Sequence, residues 1–152
     1  METKNMRRMK EEDRAAVAEM MKRFYESPAV HSNGSMEIFN SNISECLSGR
    51  PFAEGFVFTR EDGSICGYAM LVHAYTTEYG MPAIWIEDIY LEEDMRGKGL
   101  ADDFFDHVKS EHPDHLHRLE AESDNYRAIR SYEKNGFTKM PYLEMMRLPD
   151  DK

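Results

Sequence analysis

The chain has 152 residues with 19 Lys and Arg against 29 Asp and Glu, which gives a formal net charge of −10. This length is typical of a single domain and suffices to bury a hydrophobic core. Binding to nucleic acid or to anionic membranes depends mainly on Lys and Arg, so the acidic balance argues against both kinds of partner. A small cationic partner is compatible with it.

The sequence also argues against an exported or membrane-embedded protein. Its two cysteines, Cys46 and Cys66, have neither the spacing of a disulfide framework nor that of a zinc ribbon. The N-terminal residues are charged and unlike a signal peptide, and no apolar run approaches the ~18 residues that span a membrane. We expect a cytoplasmic protein in a reducing environment.

Apolar periodicity predicts the elements of the fold in chain order. They are a weak strand over residues 5–9, helices over 12–25 and 36–47, strands over 53–60, 65–75 and 83–91, a helix over 100–110, a strand over 115–122, a helix over 126–134 and one or two strands within 137–147. Ser35 is the expected N-cap of the second helix, and Asp62-Gly63 is a hairpin signal. This order is typical of a mixed α/β fold, and we expect one domain over residues 1–152.

The strand over residues 83–91 is apolar on both faces yet carries two adjacent carboxylates, Glu87 and Asp88. Strand alternation predicts one face with Trp85, Glu87, Ile89 and Leu91 and another with Ile84, Ile86, Asp88 and Tyr90. A buried carboxylate needs a partner, access to solvent or a raised pKa. Pairing with Arg or Lys, or a β-bulge that exposes one of the two, would explain them structurally.

A turn that contains two glycines precedes the next helix. Its residues are Arg96, Gly97, Lys98, Gly99, Leu100 and Ala101. Glycines let the backbone approach a ligand closely, and the helix start presents N–H groups to an anion. Two common phosphate loops do not fit, because Lys98 is not followed by Ser or Thr and position 102 is Asp rather than Gly.

Three features together closely resemble the GNAT acetyltransferase superfamily. They are the Glu87-Asp88 strand, the Arg-x-x-Gly-x-Ala turn, and the segment Asn125-x-x-Ala128-Ile129-x-x-Tyr132-x-x-x-Gly136-Phe137. The resemblance covers about residues 64–137 and implies a mixed, mostly antiparallel central sheet flanked by about four helices. The acidic pair before the turn is most similar to that of the diamine (spermidine/spermine-type) acetyltransferase branch.

The resemblance implies acetyl-CoA as the co-substrate. The residues that it assigns to this ligand are Ile89, Tyr90, Leu91, Arg96, Gly97, Lys98, Gly99, Leu100, Ala101, Asn125 and Ala128. The strand residues would pair with the pantetheine arm, the turn would hold the diphosphate, and the last two would line the other side. Asp102 and Asp103 oppose an anion at the helix start, so we expect them to point away from it.

The implied reaction is direct attack of an amine on the thioester. Glu87 would accept the proton of the ammonium, and Tyr132 would donate one to the departing thiolate. A solvated Glu, with a pKa of ~4.3, is a poor base, so we expect Glu87 to be partly desolvated or to act through water. The candidate acceptor contacts are Tyr25, Glu26, Glu87 and Asp88.

The sequence thus predicts an acetyl-CoA-dependent N-acetyltransferase for a primary amine of a small molecule, either a polyamine or diamine or an amino-acid-like amine. Acetylation of a protein or peptide amine is the nearest alternative, and a CoA-binding regulatory protein without efficient catalysis is another. The resemblance favours a homodimer. His112, His115 and His117 lie close in sequence without an evident fourth ligand, so we predict no metal site.

Overall fold

Five strands and four α-helices form in the computed structural model, which describes residues 3–32 and 34–150. The strands are β1 (Met6–Arg8), β2 (Ala53–Thr59), β3 (Ile65–Thr76), β4 (Met81–Leu91) and β5 (Leu116–Leu119). The helices are α1 (Arg14–Tyr25), α2 (Met36–Leu47), α3 (Leu100–Glu111) and α4 (Tyr126–Lys134). Short 3₁₀ helices cover Glu11–Asp13 and Glu93–Met95. In this part of the chain, no helix has the length and apolar character that crossing a bilayer requires.

The strands form one sheet in the order β1-β2-β3-β4-β5. The first three pairs are antiparallel and the β4–β5 pair is parallel, which confirms the expected mixed, mostly antiparallel sheet. The β2–β3 hairpin turns at Gly63, whose positive φ of 86° fits the Asp-Gly signal. Ser35 caps α2 as expected, with its side chain accepting a hydrogen bond from the Ile38 N–H.

Side chains of alternating strand positions build a core on each face of the sheet. On one face, Phe56 and Ile84 pack with Phe104 of α3. On the other, Val57 and Tyr68 pack with α1 and α2. The sheet is therefore covered on both sides, and its functional positions lie at its open edges and strand ends.

The predicted faces of β4 are wrong beyond residue 86, because a β-bulge interrupts the strand. Leu71 lies opposite Ile86 and Met70 lies opposite Asp88, so Glu87 is an extra residue without its own partner. The bulge places Asp88 on the face covered by α1, whereas Ile84 and Ile86 lie under α3. Simple alternation could not reveal this because a bulge inverts the pattern after it.

The strands predicted within residues 137–147 are absent, and β5 is shorter than predicted. The described residues after α4 form neither helix nor strand. Leu143, Met145 and Met146 are 86%, 85% and 84% exposed, so these apolar side chains are not buried within this chain. A segment with high strand propensity becomes a strand only where a neighbouring strand can exchange hydrogen bonds with it. The segment is held near the β3–β4 hairpin, where the Tyr142 hydroxyl donates to Glu78 Oε1 at 3.0 Å.

Candidate active site

The candidate site lies where β4 and β5 separate. The parallel ladder joins Ala83–Ile86 to Leu116–Leu119 and ends there, while β4 continues to Leu91. The bulge at Glu87 falls at the point where the pairing ends. The second half of β4 therefore keeps its β3 partner on one side and presents its other edge to a gap.

Backbone groups of alternate β4 residues point into this gap. The Glu92 N–H donates to the Cys66 carbonyl on β3 at 2.8 Å. Alternation then turns the backbone groups of Leu91 and Ile89 toward the open edge and those of Tyr90 toward β3. The Leu91 carbonyl accepts a hydrogen bond from Arg96 Nε at 2.9 Å, which agrees with this direction. Of the three strand residues predicted to bind a pantetheine arm, Ile89 and Leu91 have the required orientation.

The turn before α3 has the backbone of an anion-binding loop. Gly97 and Gly99 have φ values of 74° and 85°, which favour glycine over other residues. Because Gly99 is the N-cap, no side chain covers the first amides of α3. Nη2 of Arg127, in the first turn of α4, lies 3.8 Å from where a Cβ of Gly97 would be. A guanidinium that the sequence did not identify thus faces the turn.

The basic residues of the turn have different tasks. The Arg96 guanidinium lies 5.7 Å from the Tyr90 ring centroid and also caps the Leu91 carbonyl, so it holds the turn against β4. Lys98 is exposed, and its Nζ lies 3.9 Å from the Met95 sulfur. Leu100 is buried in the core under α3, where it anchors the helix start.

Other residues assigned to the turn and to α4 also have a structural role. Ala101 packs against the core under α3. Asn125 caps α4, because its Oδ1 accepts from the Ala128 N–H at 3.4 Å. The helix start that contains Asn125 and Ala128 is also the one that brings Arg127 to the turn.

One of the two aspartates in the first turn of α3 is held by residues at the C-terminal end of α4. Asp102 accepts hydrogen bonds from Lys134 Nζ and Asn135 Nδ2, both at 2.8 Å. The Asn135 and Lys134 hydrogen bonds hold the pKa of Asp102 below its usual range. Asp103 is exposed. The expectation from sequence is therefore met for Asp102, while for Asp103 the structure shows only that it is exposed.

Tyr132 lies on the inner face of α4. It packs against the same core cluster as Ile89 and Leu91, and its ring centroid is 5.9 Å from that of Phe105 and 6.2 Å from that of Phe137. Burial raises the pKa of Tyr132. The phenol is therefore protonated at neutral pH and can donate a proton.

The two carboxylates of β4 have contrasting surroundings. Asp88 is buried, and its oxygens accept hydrogen bonds from the Tyr25 hydroxyl at 3.1 Å and the Tyr68 hydroxyl at 2.8 Å. Burial raises the pKa of Asp88, and the two tyrosine hydrogen bonds oppose that shift. Asp88 and Tyr25 therefore hold each other inside the core. Glu26 is exposed and is the C-cap of α1, away from this pair.

Glu87 belongs to a cluster with two carboxylates that sequence reasoning missed. It stays exposed, yet partial burial, Asp88 and Glu144 raise its pKa. Glu120 follows β5, and its pKa is raised to about 7 by partial burial, a hydrogen bond with Glu144 and the charges of Glu144 and Glu87. The three come from β4, the end of β5 and the C-terminal segment. Only the parallel placement of β5 beside β4 could have pointed to Glu120.

The loop after α1 approaches the same end of the sheet. His31 Nδ1 lies 3.9 Å from Glu122 Oε1, just beyond β5. Together with the Tyr25–Asp88 hydrogen bond, this contact brings the end of α1 and the loop after it to the ends of β4 and β5. Asn33, in the same loop, lies outside the described residues.

Comparisons with solved structures agree with this architecture. A possible acetyltransferase from Clostridium difficile 630 superposes with a TM-score of 0.78 at 15% identity, over 95% of this chain and 96% of that one. AAC(6')-Iy, in complex with the bisubstrate analogue CoA-S-monomethyl-acetylneamine, gives 0.77 at 15% identity, over 95% and 97%. A putative acetyl transferase from Pyrococcus furiosus gives 0.69 at 19% identity, over 94% and 98%. At such low identities, the superpositions show a shared fold and nothing about activity. Among curated proteins, none matches the sequence.

The sequence itself decides the family. The model of the acetyltransferase (GNAT) family matches residues 15–137, a span that includes the β4 bulge, the glycine turn and α4. Because this match covers most of the chain and the fold agrees with it, the chain belongs to the GNAT acetyltransferase family and is an N-acetyltransferase.

Proposed function

We propose that this chain, as one domain over residues 1–152, transfers the acetyl group of acetyl-CoA to a primary amine of a small cationic molecule. The observation that carries the proposal is the cluster of Glu87, Glu120 and Glu144 beside the gap between β4 and β5. Carboxylates attract an ammonium group and can take its proton. Polyamines and diamines, or an amino-acid-like amine, have the matching charge.

Acetyl-CoA fits the opposite side of the gap. The uncapped amides of α3 and the Arg127 guanidinium would hold its diphosphate. The pantetheine amides would pair with the outward backbone groups of Ile89 and Leu91. This assignment draws support from the solved relative whose bisubstrate analogue contains CoA.

The chemistry follows from these positions. A neutral amine attacks the thioester carbonyl, a C–N bond forms, the C–S bond breaks, and CoA leaves as a thiolate. Glu87 takes the proton lost by the ammonium, since the bulge places its carboxylate beside the open edge of β4. Tyr132 gives its proton to the thiolate, because burial keeps the phenol protonated. The nitrogen, positively charged after the attack, loses a further proton as the amide forms, and that proton restores the Tyr132 phenol.

Glu120 is a second candidate for the base. Its pKa of about 7 matches the operating pH better than that of a solvated carboxylate. The Glu87→Gln and Glu120→Gln variants separate the two roles. If a substitution removes the acid limb of the pH profile of kcat/KM, the substituted residue is the base. If it lowers only the affinity for the amine, the substituted residue binds the amine without acting as the base.

A panel of amines tests the proposal. Release of CoA thiol from acetyl-CoA is measured with polyamines, diamines, amino acids and peptides that carry a free N-terminus or lysine. We expect turnover with small polycationic amines. Turnover only with peptides would instead identify a protein or peptide acetyltransferase. Tight CoA binding by calorimetry without acetyl transfer to any amine would refute catalysis and favour a regulatory protein.

The proposed assembly is a homodimer. The exposed Leu143, Met145 and Met146 of the C-terminal segment favour contact with another chain. Light scattering on the eluting protein measures the mass directly. A mass of one chain at micromolar concentration would contradict the proposal.

A further inference from the structure

A second cluster of ionisable side chains lies at the far end of α3 from the glycine turn. Glu54 Oε2 is 2.7 Å from His73 Nε2 and 3.8 Å from His112 Nε2. The three ligand atoms lie within 4.8 Å of one another. Since α3 has 12 residues, it separates this cluster from the turn by about 18 Å. The cluster therefore belongs to no part of the candidate active site.

We propose that Glu54, His73 and His112 bind one divalent transition-metal ion, for which Zn²⁺ is the best match. Two imidazoles and a carboxylate are ligands that Zn²⁺ prefers, with water in the fourth position. Tetrahedral coordination at about 2.0–2.1 Å places neighbouring ligand atoms about 3.3 Å apart. The two distances from Glu54, 2.7 and 3.8 Å, lie on either side of this value, and no pair of ligand atoms is more than 4.8 Å apart. The ligand atoms of any pair must therefore approach each other by no more than about 1.5 Å.

The fold brings the three ligands together from distant parts of the chain. Glu54 on β2 lies opposite Leu71, and His73 is two residues further along β3, so both side chains share the face that α3 covers. His112 is the C-cap of α3, the helix that covers this face, and its side chain meets the other two there. All three are half-buried, which limits their movement while leaving a route for an ion.

The charged neighbours of the cluster have opposite effects on a bound cation, because one is positive and two are negative. Arg8 holds the other oxygen of Glu54 at 2.6 Å, which leaves Oε2 for the ion but adds a positive charge nearby. Asp114, bound to His115 at 2.9 Å, and Glu111 supply negative charge on the His112 side. The side chain of Arg8 is 60% exposed and can turn toward solvent when a cation binds.

The first test is titration of tag-free, chelator-treated protein with Zn²⁺, followed by calorimetry and by thermal unfolding. We expect one ion per chain and a Tm that rises with Zn²⁺ concentration. His73→Asn and His112→Asn should each weaken binding at least tenfold and abolish the rise in Tm. His31→Asn is the matched control, because the His31 side chain is 95% exposed and lies outside the cluster. Equal affinity in all four proteins, or no saturable binding, would overturn the proposal.

A second measurement needs no variant. In ¹⁵N-imidazole spectra of the wild-type chain, Zn²⁺ should shift the Nε2 signals of His73 and His112 and leave that of His31 in place. If the three residues are only a hydrogen-bonded trio, Zn²⁺ will leave both signals unmoved or will shift other histidines instead. This outcome would refute the site even if the substituted chains failed to fold.

Discussion

One extra residue in β4 separates the roles of two adjacent carboxylates. Without the bulge at Glu87, Asp88 would share the α3 face with Ile86, on the opposite side of the sheet from its partners Tyr25 and Tyr68. With the bulge, Asp88 is held by Tyr25 and Tyr68, while Glu87 faces the gap. We therefore propose that Asp88 positions Tyr25 and that Glu87, which is exposed, meets the substrate.

The first prediction concerns the pH dependence of the reaction. Glu144 raises the pKa of Glu87 by repulsion between like charges, and it raises that of Glu120 by a hydrogen bond and by the same repulsion. The base must be deprotonated to act, so Glu144→Gln, which removes that repulsion, should move the acid limb of kcat/KM to lower pH. Glu133→Gln, on the exposed side of α4, should leave the limb in place. An unmoved limb in Glu144→Gln would contradict the coupling.

The second prediction concerns the leaving group. Tyr132→Phe removes the proton donor but keeps the ring that packs on Phe105. We expect kcat to fall by about 10²-fold with little change in the Kd of CoA, because general-acid assistance acts only on the departing thiolate. Tyr126→Phe on the exposed side of the same helix is the control. A kcat equal to that of the wild type would remove Tyr132 from the mechanism.

At the scale of elements, the start of α3 has open amides and nearby cations. The glycine at its N-cap adds no side chain, Asp102 pairs with Lys134, and Arg127 approaches the turn. The helix dipole and the N–H groups would therefore act together on the diphosphate that we propose binds there.

The third prediction compares two glycines whose φ angles are nearly equal. Gly99 and Gly63 have φ values of 85° and 86°, and a Cβ at either would meet no protein atom within 4 Å. Alanine at either position should cost about 1–2 kcal/mol of unfolding free energy through backbone strain. Only Gly99→Ala should also weaken CoA binding, by about tenfold, as measured by calorimetry. If Gly63→Ala weakened it equally, the effect would come from global destabilisation.

Periodicity predicted most elements of this fold because their burial follows a regular repeat. The helix ending at Tyr25 and the strand ending at Leu91 illustrate this, since both lie within the predicted bounds or extend them slightly. A β-bulge that exposes one of the two carboxylates is among the explanations expected from the sequence, but its position at Glu87 depends on the register with β3, which alternation alone does not give. Glu120 and Glu144 could not be found from the sequence for a related reason. They meet Glu87 only because the fold brings together three segments that are distant in sequence, and no local sequence pattern indicates this.

At the scale of the whole molecule, the charge is divided between the two sides of the gap. The net charge is −10, yet the cations Arg96, Lys98 and Arg127 lie at or beside the turn before α3. Carboxylates gather on the other side, at Glu87 and Glu120. An anionic co-substrate and a cationic acceptor would thus approach a surface of opposite sign from each side.

This division predicts a dependence on salt that differs between acceptors. Screening shortens the range of electrostatic attraction to about 10 Å at 0.1 M salt and less above it. The KM for a diamine that carries two charges should therefore rise several-fold between about 20 and 300 mM salt, while that for a monoamine should rise less. Initial rates at saturating acetyl-CoA give both values, and an uncharged osmolyte at matched osmolarity is the control. Equal salt dependence for both amines would show that long-range attraction to the acidic side of the gap does not select the acceptor.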